Sequence, residues 1–113
     1  MGDGVISPLA EAMNRLWAKH LPQMEERVAT LQIAAEHLSR GILAEEEQRR
    51  AGADAHKLAG VLGTFGLDDG TALAREAEGI FEGILGGTPD AALRLSLIAE
   101  QLKALVTARS QAS

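Results

Sequence analysis

Apolar residues recur every three or four positions along most of this chain, and that period restricts it to helices. Met24, Val28, Leu31, Ala35 and Leu38 keep it in one stretch, and Ala51, Ala55, Leu58, Leu62 and Phe65 in the next. Leu73, Ala77, Ile80, Phe81 and Ile84 form a third stripe, and Leu95, Ile98, Leu102 and Leu105 a fourth. No run alternates β-branched and polar residues as a half-buried strand requires. Only Trp17, Phe65 and Phe81 are aromatic, so alanine and the aliphatic side chains must fill the interior. A chain of 113 residues forms one domain around one core. The expected class is all-α.

Proline and glycine punctuate the stripes. Ser7 and Pro8 read as an N-cap and the first helical residue. A short leading helix then runs to about Lys19, with Leu9, Met13, Leu16 and Trp17 on its apolar side, and Pro22 interrupts it and opens a second. Gly41 ends that second helix. A third begins near Leu43, with Glu45, Glu46 and Glu47 complementing the dipole of its first turns, and closes at Phe65-Gly66-Leu67. A fourth spans Asp68 or Asp69 to Leu85 and stops at Gly86-Gly87. Thr88-Pro89-Asp90 starts the last. Residues 1–7 form a loose Gly-rich segment and 110–113 a polar tail, which leaves 8–109 as the folded unit. Short connections favour antiparallel neighbours, so the expected architecture is an antiparallel up-down four-helix bundle with a short additional N-terminal helix.

Composition removes several functions. With no cysteine there is no disulfide, thiolate nucleophile or Cys-ligated metal. A formal net charge of −5 argues against nucleic acid as a partner. No apolar run is long enough for a membrane span and no signal peptide precedes the first helix, so the expected location is the cytoplasm, with no membrane partner. His20, His37 and His56 have no i, i+4 pairing and no HExxH motif, so no metal site is expected. No Gly-rich loop follows a strand, and no serine or threonine sits in a nucleophile–base pattern.

His56 stands apart. At about 100° per residue it lies roughly 140° from the centre of the stripe Ala51, Ala55, Leu58, Leu62 and Phe65, and so points out of the bundle. Its helical neighbours are Gly52, Ala53, Ala59, Gly60 and Gly63, all small. Internal glycines cost a helix roughly 1 kcal/mol each relative to alanine. A merely solvated face would carry Glu, Lys or Gln instead. The bare surface suits an imidazole that another macromolecule's active site must reach. Arg49, two turns earlier on nearly the same side, and Lys57 beside it supply positive charge for a phosphate or an acidic partner.

The segment AHKLAGVLGTFGL, Ala55 to Leu67, resembles the signature of histidine-phosphotransfer (HPt) domains of two-component phosphorelays. In that family a histidine on a bundle helix is followed four residues later by a glycine, and a further glycine closes the helix. A glutamate follows on the next helix. His56, Gly60, Gly63 and Glu78 occupy those positions, although Glu78 reads equally well as a surface glutamate. Many members carry lysine three residues after the histidine; this chain has Ala59 there, and its lysine is Lys57.

The resemblance implies that His56 accepts a phosphoryl group from a receiver-domain aspartate and surrenders it to another. Lys57, Gly60, Gly63, Arg49, Ala53 and Ala59 would face the phosphate or the partner. The implied partners are receiver domains of response regulators or hybrid histidine kinases. The implied role is a phosphocarrier, monomeric or part of a larger protein, with no cofactor of its own and Mg²⁺ in the receiver. Two other functions fit the same face: a non-catalytic helical adaptor, and the phosphorylatable input domain of a chemotaxis-type histidine kinase.

Overall fold

A computed structural model describes residues 7–83 and 89–112. They form four helices: α1 (Pro8–Ser39), α2 (Glu45–Thr64), α3 (Asp68–Gly83) and α4 (Pro89–Ala112). Ser7 caps α1 as its position predicts, its Oγ accepting from the Ala10 N–H at 3.0 Å, with Pro8 in the first turn. The expected stop at Gly86-Gly87, the cap at Thr88, and Ile84 and Leu85 lie outside the described residues, as does all of the loose leading segment except Ser7.

The short leading helix does not exist as a separate element. α1 runs unbroken through Pro22. Proline has no N–H to give the Ala18 carbonyl, a cost that by local rules ends or kinks a helix. Packing on both sides of Pro22 overrides it. Before Pro22, Trp17 is buried; its Nε1–H donates to Ser110 Oγ at 2.9 Å and its ring meets Phe65 edge-on at 5.1 Å. The Arg109 guanidinium lies 5.1 Å over the same ring and donates to Asn14 Oδ1 at 3.0 Å. After Pro22, Met24 and Val28 enter the core. The apolar side of the first turns is narrower than the pattern suggests, since Leu9 and Leu16 are exposed.

These same contacts correct the reading of the C-terminus. Of the tail expected over 110–113, residues 110–112 continue α4, with Ser110 and its neighbour Arg109 tied to α1.

Gly41 and Gly66 close α1 and α2, both at φ +72°, a left-handed conformation that a Cβ disfavours. At Gly66 the chain reverses within a few residues, and the Leu67 N–H reaches back to the Leu62 carbonyl at 3.0 Å. Side-chain contacts then run in reverse order along α2 and α3, with Ala59 beside Thr71, His56 beside Glu78 and Gln48 beside Phe81. The core is formed by Trp17, Met24, Leu31, Leu58, Leu62, Phe81, Leu95, Ile98 and Leu102 with interleaved alanines. Gly52 and Gly70 let α2 and α3 approach: a Cβ on Gly52 would lie 3.4 Å from the Phe81 Cβ, and one on Gly70 would lie 3.0 Å from Leu62 Cδ1. Among the described residues no helix is long and apolar enough to cross a membrane.

Candidate functional site

The phase of α2 puts His56 where the sequence pattern predicts. Ala51, Ala55, Leu58 and Leu62 are buried and Phe65 half-buried, while the His56 side chain is 69% exposed. Exposure has not left the ring unconstrained. Its Nδ1 lies 2.9 Å from Glu78 Oε2 on α3, and the Glu78 side chain is only 21% exposed. A carboxylate accepts only, so Nδ1 is the nitrogen that donates to Glu78, and in the neutral ring that tautomer leaves the free lone pair on Nε2. In that tautomer the ring has the chemistry of a nucleophile held in one orientation.

The small residues around His56 fall into two groups. Ala53, Gly60 and Gly63 are exposed, as expected of a surface open to a partner. Gly52 and Ala59 are buried, which corrects the placing of Ala59 on the contact surface. Ala59 lies under α3, where its carbonyl accepts from Thr71 Oγ1 at 3.1 Å. Gly52 is small because Phe81 occupies the space above it. A Cβ on Gly63 would touch Thr71 Oγ1 at 3.4 Å. At Gly60, alone among these three glycines, a Cβ would meet nothing within 4 Å, so helix packing does not account for it.

His56 lines one groove, and a second lies on the α1 side of α2. Between α2 and α3 His56 shares a depression with Gln48, Arg49, Lys57, Glu78 and Glu82. Between α1 and α2 a second groove is lined by His20, Arg27, Lys57 and Gly60. Gln48 fixes the far end of the first groove by donating to the Phe81 carbonyl at 2.6 Å. The cations differ in availability. Arg27 sits 3.7 Å from Asp54, Arg49 sits 3.5 Å from Glu46, and Lys57 has no ion pair among the described residues. No group of three or more His, Cys, Asp or Glu able to hold a metal occurs among the described residues.

A second histidine–glutamate pair provides an internal contrast. His37 Nδ1 contacts both Glu47 oxygens, at 2.8 and 2.7 Å, joining the end of α1 to the start of α2. It lies at a helix C-terminus beside Glu36, where the dipole and the neighbouring carboxylate both repel a phosphoryl group. Its role is to hold a connection, which the sequence pattern, showing only a bland boundary residue, does not reveal.

The four-helix architecture agrees with what the sequence comparison finds. The chain belongs to the Hpt domain family, whose model matches residues 15–112. Comparison with curated proteins gives no match, and comparison with solved structures gives none. Hpt domains carry out histidine phosphotransfer in phosphorelays and interact there with receiver domains.

The Glu78 contact is the feature of the candidate site least visible in the sequence. The signal that finds it is the tight turn at Gly66: His56 lies ten residues before it and Glu78 twelve after, so chains folding back there bring the two level.

Proposed function

We propose that His56 is the phosphoryl acceptor and donor, taking the group from a receiver-domain aspartate, or a kinase, and passing it to a second receiver. The single observation that carries this reading is the Nδ1–Glu78 contact at 2.9 Å on a side chain that is otherwise exposed. In transfer, the Nε2 lone pair attacks phosphorus as the bond from phosphorus to the aspartyl oxygen breaks, and the aspartate leaves as carboxylate. The ring keeps its Nδ1 proton and gains positive charge, which the Glu78 carboxylate opposite stabilises. The reverse sequence discharges it. Little covalent chemistry is asked of this chain, because phosphoryl transfer rests on positioning and charge stabilisation. Mg²⁺ bound by the receiver's own carboxylates would neutralise the phosphoryl oxygens. Exposed Ala53, Gly60 and Gly63 leave room for the receiver's loops, with Arg49 and Lys57 at the edge. The reversed order of contacts along α2 and α3 supports an antiparallel up-down arrangement, which sets the His56–Glu78 register.

Transfer from a panel of radiolabelled, phosphorylated receiver domains tests the proposal, with His56→Gln as the control. The expected result is acid-labile, base-stable label on the wild type and none on the variant. Binding without label from any receiver would favour an adaptor.

A further inference from the structure

The two grooves along α2 differ in charge. The α2/α3 groove contains Glu78 and Glu82, whereas no carboxylate lines the α1/α2 groove. The ring nitrogens point in divergent directions, and Nδ1 is held towards α3 by Glu78. Nε2 therefore faces away from Glu78 and α3. A phosphoryl group brings about −1.5 to −2 charge and three acceptor oxygens. It needs a cation on that side. Arg27 is shielded, its side chain 14% exposed and facing Asp54. His20 is half-buried and stacks edge-on to Phe65. Buried Ala59 offers a methyl group and no charge. Lys57 is exposed, unpaired among the described residues, and lines both grooves.

We infer that the Lys57 ammonium is the counter-ion of the phosphoryl group on His56, held over the α1/α2 side of the helix. This rests on His56 being the phosphorylated residue. The flexible four-carbon stem of lysine lets the next residue in sequence reach back across the azimuth that separates neighbouring helical positions. Open space at Gly60 leaves the phosphoryl oxygens clear of α2 itself.

The test uses phosphoramidate as a small donor, which removes dependence on any receiver. Nε2 forms the new N–P bond as the P–N bond of the donor breaks and ammonia leaves. Wild type, Lys57→Met, Lys57→Arg and a distant control, Lys103→Met on α4, are compared by labelling rate and by ³¹P NMR titration of the labelled product. Lys57→Met should label roughly three- to fivefold more slowly, the size expected of an exposed charge contact, and the difference should fade near 1 M salt. Its phosphoryl resonance should titrate about half a pH unit higher, because a nearby cation favours the dianion. Lys57→Arg should retain most of both effects, and Lys103→Met should match the wild type. A labelled Lys57→Met with wild-type rate and midpoint overturns this inference alone. A wild type that takes no label at His56 overturns the phosphotransfer function and the inference with it.

Discussion

Replacing Glu78 by glutamine isolates the contact that, under the proposed function, orients the His56 imidazole for attack. The shape is retained and the charge removed. Opposite unit charges about 4 Å apart attract by about 1 kcal/mol in water and about 4 kcal/mol at an effective dielectric near 20. His56 is 69% and Glu78 21% exposed, so the pair belongs near the watery end, at about 1–2 kcal/mol. That stabilisation is largest once the ring carries the phosphoryl group and its positive charge. The predicted loss is therefore in rate, roughly five- to thirtyfold at about 1.4 kcal/mol per decade. The glutamine amide can also present N–H to Nδ1, which favours the wrong tautomer and adds to the loss. Folding should barely notice, since an exposed pair contributes less than about 1 kcal/mol. Rapid-quench transfer from a phosphorylated receiver gives the rate, urea unfolding followed by circular dichroism gives the stability, and ¹⁵N NMR of the imidazole gives the tautomer. A Glu78→Gln variant with wild-type transfer rate would refute the positioning argument. So would a variant that is slow only because it is unfolded.

Four further substitutions, at three positions, separate packing from function. Gly60→Ala should stabilise the fold by about 0.5–1 kcal/mol in urea unfolding, because α2 gains a better helix former in open space. Gly60→Glu should fold yet lose transfer, and normal transfer would remove Gly60 from the docking surface. Gly70→Ala should destabilise by about 1–3 kcal/mol, since the new methyl meets fully buried Leu62 at 3.0 Å; an unchanged midpoint would show that Leu62 has room to move. The Glu76–Arg94 pair joins α3 to α4 through two hydrogen bonds, and the Arg94 guanidinium holds the Glu76 carboxyl below its ordinary value. A depressed carboxyl contributes stability that is fully present above its unfolded value and is lost as pH falls through the folded one. Glu76→Gln should therefore reduce the acid sensitivity of the melting temperature slightly, the pair being largely exposed, and an identical pH profile would show that it contributes nothing.

The helices and the core of this chain were legible because their signals are local. Period, caps and the two closing glycines are written within a few residues of where they act, and Leu58 and Leu62 are buried where phase alone puts them. Pro22 misleads for the opposite reason. What carries α1 across it is the anchoring of Trp17 by Ser110 and Phe65, and neither contact has a local trace. Ala59 misleads similarly: the width of the α2 stripe depends on how closely α3 approaches, and Gly52 and Gly70 permit a close approach. The exposure of His56 was legible from the phase of α2. Its partner required the register across the Gly66 turn, and the pairing of His37 with Glu47 required the path of the connection between α1 and α2.

The central claim is that the phosphoryl group resides on Nε2 of His56, with Nδ1 retained by Glu78. The most direct measurement is ³¹P and ¹⁵N NMR of the protein after transfer from a phosphorylated receiver, with imidazole nitrogens labelled. The account predicts a single phosphohistidine whose phosphorus couples to Nε2 of His56, and a protonated Nδ1. Phosphorus on Nδ1, or on His20 or His37 with His56 unmodified, would contradict it.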